Sequence, residues 1–282
     1  MKRSFPALLA LGMACGGTGE PASVRLRLAY EEGDTLRYVY EASGTARLPD
    51  TTAAEGYVDR SYERRLTIQE VATDVTPRGH YVLELVYRLE SDDLSRGQDL
   101  PEAVSFQVEI TPQGRVVEVT GVETMKPLFG DIDFQSYFEQ SQPVFPERPL
   151  KVGDSWTQEV RVVSPSSEPV TTSSTYVLES LSEDENDPLA VIAYQGDIYL
   201  PVTRVDPDTS AGADSAAAAS TIVIEERIRV EGRIHFDQGR GVVERIESSS
   251  EATFSRITML DGEPVRRDVV IRETSAMRLA GE

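Results

Sequence analysis

The tripeptide Gly153-Asp154-Ser155 is the nearest this chain comes to a nucleophile motif. A serine hydroxyl attacks only when a base takes its proton, and that base is usually a histidine held by a carboxylate. The chain has two histidines, His80 and His235. The residues three before them are Pro77 and Gly232, so neither has the Asp-x-x-His spacing that would complete such a site. The pattern also occurs earlier as Gly33-Asp34-Thr35. A turn leading into a strand accounts for both copies. Two isolated histidines and a single cysteine make no zinc ligand set. The acidic run Glu183-Asp184-Glu185-Asn186-Asp187 lacks the glycine and the closing glutamate of a calcium loop and reads as a solvated hairpin tip. Asp34-Thr35, Asp50-Thr51 and Asp208-Thr209 are not followed by glycine, which weakens an aspartic-protease reading. No glycine-rich loop precedes a helix, as a phosphate cradle requires. The residues predict no catalytic group, no metal and no cofactor; the chain reads as non-enzymatic.

Cys15 is different. It ends the stretch MKRSFPALLALGMAC, with two cations, an apolar run from Phe5 to Met13 and then Ala14. That run is too short to span a bilayer, which takes about 20 residues, and the layout is that of an export signal. It resembles the bacterial lipoprotein signal, whose cysteine is lipidated on sulfur and becomes the new N-terminus. Gly12 stands where that signal usually has leucine, with Leu11 one place further back. The resemblance implies a signal peptide over 1–14, lipidated Cys15 and a flexible tether over 15–23. It implies a partner, the membrane, reached through a lipid anchor. Gly16, not Asp, follows the cysteine, which by the same resemblance places the protein on the outer membrane, facing the periplasm.

These features must be positioned by a β-rich body. From Val24 onward the dominant period is two, as in Tyr81, Leu83, Leu85, Tyr87 and Leu89, or Val104, Phe106, Val108 and Ile110. Similar runs cover Val24–Tyr30, Leu36–Tyr40, Tyr62–Val71, Trp156–Val162, Thr175–Leu181, Ile222–Phe236, Val242–Ser248 and Val269–Thr274. Turn residues such as Pro77-Arg78-Gly79 and Asp237-Gln238-Gly239 separate them. Strands joined by short turns predict a mainly β fold: one large curled antiparallel sheet, half-barrel-like, over 24–282. Gly232 interrupts a long apolar row and predicts a bulge or bend. The spacing of Phe134, Tyr137 and Phe138 predicts a short amphipathic helix starting near Asp131 or Asp133, a cap lying on the concave face. Residues 48–56 and 207–220 read as long loops.

The acidic balance bounds the partners. With 48 Asp and Glu against 28 Lys and Arg the formal charge is −20. Such a surface repels phosphate backbones, so the reading includes no nucleic acid. Two landmarks recur in order: Gly33-Asp34-Thr35 with Gly153-Asp154-Ser155, and the Pro112-Gln113-Gly114 turn with Asp237-Gln238-Gly239. Halves 24–121 and 150–282, joined by a helical segment 122–149, would explain them, and so would turn chemistry alone. The lipoprotein-like start, the Gly-Asp-Thr/Ser entry to a strand, the β-rich body and the late Gly232–Gly241 hairpin resemble the bacterial domain-of-unknown-function 6263 family. That resemblance implies a β-type envelope protein and carries no catalytic residues.

The aromatic residues Phe129, Phe134, Tyr137 and Phe138, with Trp156 just beyond, crowd into and around the non-strand segment. They are the candidate lining of a pocket between cap and sheet for an apolar or amphiphilic ligand, such as a lipid or acyl chain. Filling the core of the sheet would use them equally well. The alternative function is a structural or protein-interaction module of the cell envelope, holding another envelope protein.

Overall fold

Strand periodicity becomes a long meander in the computed structural model, which describes residues 23–50, 56–94, 101–125, 133–162, 169–182, 188–206, 220–260 and 263–281. Residues 124–125, 201–206, 220–225, 256–260 and 263–267 are described by backbone alone. Among the described residues the strands are β1 (Ser23–Val24), β2 (Thr35–Pro49), β3 (Tyr57–Val75), β4 (Tyr81–Asp92), β5 (Ala103–Ile110) and β6 (Val116–Thr120). An α-helix, α1 (Phe134–Ser141), follows, and then β7 (Leu150–Lys151), β8 (Ser155–Val162), β9 (Val170–Leu181), β10 (Leu189–Asp206), β11 (Ser220–Asp237), β12 (Val242–Leu260) and β13 (Glu263–Leu279).

Eleven strands form one curled antiparallel sheet in the order β6-β5-β4-β3-β2-β13-β12-β11-β10-β9-β8. The sheet is not closed into a barrel, because β6 and β8 end it without pairing. Neighbours in the sheet are mostly neighbours in sequence. The exception is β13 beside β2, where Ser275 faces Ala42 and Met277 faces Tyr40. This pairing joins the last strand to the first long one and makes the sheet continuous.

One face of the sheet is the inner one. It carries Leu36, Tyr38, Ile68, Leu83, Leu85, Ile192 and Ile234, all buried. Two core clusters stand at its two ends, one around Leu83, Phe106, Phe134 and Phe138, the other around Leu26, Phe145, Tyr176, Ile192 and Phe236. Residues 24–30, predicted as a strand, join the ladder only at Ser23–Val24, which pairs with β7. The rest crosses between the two clusters, because its amides go to turn carbonyls: Leu28 N–H donates to Pro112 and Ala29 N–H to Gly241. Its alternation is still used, with Leu26 buried and Leu28 packing on both clusters.

Helix α1 starts as its capping residue dictates. The Asp133 carboxylate accepts the Ser136 N–H at 3.2 Å and the Ser136 hydroxyl at 2.6 Å. Its apolar stripe, Phe134 and Phe138, covers Phe106 on the inner face, as predicted for the cap. Gly232 does not carry the expected bulge; the register shift of β11 against β12 falls between His235 and Phe236. Gly232 instead allows close approach. A Cβ there would overlap the Glu247 carbonyl oxygen and crowd the Tyr194 ring, which lies over the space a side chain would fill.

The two Gly-Asp-Thr/Ser turns have one construction. Gly33, at φ 96°, and Gly153, at φ 90°, occupy the left-handed region that glycine adopts without strain. Gly33 N–H bonds to Ala72 O while Ala72 N–H returns to Asp34 O. Gly153 and Leu178 repeat this, with Leu178 N–H returning to Asp154 O. Each aspartate accepts the backbone N–H three residues before it, Glu31 at 2.7 Å and Lys151 at 3.1 Å. Each turn therefore clips the start of one strand to the next.

Candidate functional site

The expected lining residues divide between the two clusters. Phe134 and Phe138 are only 4% and 3% exposed, and the Phe138 ring centroid lies 5.0 Å from that of Phe106. Tyr137 packs edge-on against Phe138 and stays partly exposed. Trp156 belongs to the other cluster. It stacks on Tyr176 at 5.3 Å, which in turn neighbours Tyr194, and its Nε1 donates to Val144 O. Cys15 and Phe129 lie outside the described residues. Of the five lining candidates, Phe134, Tyr137 and Phe138 come together on α1, where Tyr137 alone of the three stays partly exposed.

What holds α1 in place is polar. The Gln140 side chain accepts the Tyr199 N–H at 2.9 Å and the Thr172 hydroxyl at 3.1 Å, and donates to Tyr199 O at 3.2 Å and Ser136 O at 2.9 Å. β9 pairs with β10 only as far as Gly196, so Tyr199 has no strand partner on that side. The amide of Gln140 supplies the missing donor and acceptor. This seats the helix against β10 with no buried backbone group left unpaired at Tyr199.

Beyond α1 the inner face changes character. Glu273, on β13, accepts the Tyr40 hydroxyl at 2.6 Å and the Tyr62 hydroxyl at 2.7 Å, one on each oxygen. Arg64 on the same face pairs with Asp92 at 3.4 Å. Glu226, on β11, faces Leu200 and Phe254 across its ladders, and burial pushes its carboxyl up to about 7. Tyr137 is pushed up to about 12, first by burial and then by Glu226 and Glu273. Deeper in, Glu70 faces Leu36 and Leu85 and accepts the Tyr30 hydroxyl at 3.2 Å. Burial raises its carboxyl to about 7 against the opposing effect of that hydrogen bond. Spacing alone did not single these carboxylates out, yet the signal was present. Glu226 interrupts the row Ile222, Ile224, Ile228, Val230, and Glu70 interrupts Leu66, Ile68, Ala72, each an acid at an inward position.

Around this polar belt the inward apolar residues are incompletely covered. Ile271, Val269, Phe254 and Ile228, on three adjacent strands, are each only partly buried. Ile198 and Leu200, which continue those rows onto β10 near α1, are buried. The result is an apolar wall with α1 at its foot and a Tyr–Glu belt beside it.

The other candidate chemistry resolves into structure. Asp154 serves its turn and is bound at 2.7 Å by Arg148, which holds its carboxyl below the usual range. His80 Nδ1 lies 2.7 Å from Glu109, and His235 Nε2 is 3.7 Å from Glu247. Each histidine thus meets one carboxylate across a ladder, a partnership that sequence spacing could not show. Among the described residues no hydrogen bond joins Ser155 to either ring, and no three metal-ligating side chains come together. Nor is any helix among them long and apolar enough to cross a membrane.

Residues 123–201 match the family described as "Family of unknown function (DUF6263)". The DUF6263 stretch runs from the segment before α1 into β10, so it contains Gly153-Asp154-Ser155 and the whole of α1. The resemblance read from the sequence is found there, over part of the chain. No curated protein sequence matches this one. Among solved structures, lipovitellin is similar at 15% identity and a TM-score of 0.44, covering 90% of this chain and 26% of its own. The chain thus spans about a quarter of that protein's length. An engineered Rh. blastica porin is similar at 7% identity and a TM-score of 0.25, covering 88% of this chain and 100% of its own. The outer membrane protein AlkL is similar at 12% identity and a TM-score of 0.21, covering 100% and 98%.

Proposed function

We propose that the protein is a lipid-anchored, non-enzymatic lipoprotein of the bacterial cell envelope that holds an amphiphilic ligand, a lipid or acyl chain, between α1 and the inner face of the sheet. One observation carries the reading. Ile228, Phe254, Val269 and Ile271 keep part of their surface open on the inner face, around the buried Ala252, whereas Phe106, Phe134 and Phe138 under α1 are fully packed. Apolar surface left uncovered on a concave face is the ordinary mark of a binding site. The Tyr40–Glu273–Tyr62 group and Tyr137 lie beside it, so a ligand with an apolar tail and a polar head meets both of its needs there.

Each apolar side chain that a ligand covered would contribute up to about 1.5–3 kcal/mol. The anchoring role falls to Cys15, since diacylation there would hold the chain on a membrane. The test is native mass spectrometry with lipid extraction on the protein purified from a bacterial envelope, alongside a variant carrying Ile228→Asp and Ile271→Asp. Lipid released from the parent and absent from a folded variant is the expected result. A folded parent without lipid, and without uptake of added fatty acid, would overturn the reading.

A further inference from the structure

The two edges of the sheet are not equally protected. β6 is five residues long, and its pairing with β5 shifts register between Glu109 and Ile110. β8 is eight residues long, pairs with β9 without a shift, and contains neither proline nor lysine. Those are the devices that usually blunt an edge. Every second residue of β8 turns its N–H and C=O away from β9. Between Trp156 and Arg161 the described residues add one bond to that backbone from outside the ladder, Thr172 Oγ1 to Val160 O at 3.4 Å, and it comes from β9 itself. A cleft of about 780 Å³ runs along the strand, with Trp156 through Arg161 as one wall and the β5–β6 turn with the segment after α1 as the other.

The side chains on this edge are also incomplete. Glu159 and Arg161 are exposed, and across β9 they face only Ser173 and Thr171. Neither has an ion pair among the described residues. Elsewhere on the outer face arginines reach carboxylates: Arg65 to Glu41 at 3.1 Å, Arg233 to Glu179 at 2.8 Å and Arg272 to Glu251 at 2.8 Å.

We propose that β8 pairs antiparallel with β8 of a second copy of this chain, with Val160 facing its own counterpart. The charges decide the occupant. Glu159-Val160-Arg161 is self-complementary under a two-fold axis through Val160, which sets Glu159 of each copy opposite Arg161 of the other. Gln158 then meets Val162 on either side. Opposite charges directly across an antiparallel pair stabilise it, and like charges there destabilise it. The two edges thus form a single sheet running through both copies, and each β8 gains the backbone partner it lacks.

The test is sedimentation velocity of the full chain across a concentration series, with Glu159→Arg and Arg161→Glu as separate variants. Both side chains are exposed, so folding is not at stake. Each variant alone places like charges opposite each other and is expected to weaken self-association at least tenfold. Mixed, the two variants pair with each other, since every rung again joins opposite charges; native mass spectrometry distinguishes that heterodimer by mass. The doubly swapped chain associates like the parent. A parent that stays monomeric throughout, single variants that associate like the parent, or a mixture that fails to pair would each overturn the proposal.

Discussion

On the inner face around α1, Leu83, Leu85, Phe106, Phe134 and Phe138 are each at most 5% exposed, closed over by helix and sheet together. On the same face of β11, β12 and β13, Ile228, Phe254, Val269 and Ile271 remain partly open, next to acids and tyrosines. Both regions use apolar residues at inward positions, and α1 packs directly on the first, where burial is complete. The difference separates what apolar residues do for folding from what they are free to do for a ligand. A residue whose burial is complete stabilises the fold, whereas one left half-covered contributes less to stability and offers its surface to another molecule.

Truncation should expose this contrast most strongly. Phe138→Ala removes a buried ring from between Phe106 and Tyr137 and is expected to cost about 3–5 kcal/mol by denaturant titration. Ile271→Ala in the open wall is expected to cost under about 1.5 kcal/mol and to weaken ligand uptake instead. Equal costs at the two sites would remove the distinction. Next in size is Gln140→Leu, which removes the four hydrogen bonds of the Gln140 amide at Tyr199, Thr172 and Ser136 and should cost about 1–3 kcal/mol. If α1 is held chiefly by its apolar stripe, that variant will unfold like the parent. Asp34→Ala and Asp154→Ala each remove a turn hydrogen bond and should cost about 1 kcal/mol, with Asp154→Ala losing the Arg148 pair as well. A larger loss at Asp34 than at Asp154 would show that the two turns, though alike in backbone bonding, carry different loads.

The same contrast has a pH dependence. Glu70 and Glu226 have carboxyls raised to about 7 in the folded chain. Between the ordinary carboxylate range and pH 7 the unfolded chain has lost those protons and the folded chain keeps them. Stability therefore falls as pH rises through that window and levels off above it. The melting temperatures of Glu70→Gln and Glu226→Gln, taken relative to the parent, should rise from pH 5 to pH 7. A difference that stays constant with pH would mean that neither group is perturbed by its surroundings.

Much of the scaffold was legible because its cause is local. Alternation gave the strands, Asp133 with the Phe134–Phe138 spacing gave the helix, and paired Gly-Asp turns gave strand starts. The less legible features all depend on contacts distant in sequence. Residues 24–30 alternate like a strand, yet their amides find Pro112 and Gly241, which no local pattern announces. Tyr40 and Glu273 meet only because β13 lies beside β2. Gln140 looks like a polar helix residue until β9 and β10 part company at Gly196. For the site itself, the sequence pointed to the aromatic residues of α1, two of which are core. The wall opposite was visible as apolar strand residues, with nothing to say that it would be left partly open.

In the proposed function the partly open wall, and not the filled core, receives the ligand. The most direct test is photolabelling with a diazirine-bearing fatty acid, followed by peptide mapping. The account predicts adducts on Ile228, Phe254, Val269, Ile271 and Tyr137, competed away by unlabelled lipid. Adducts confined to the outer face, or none above background in a folded protein, would contradict it.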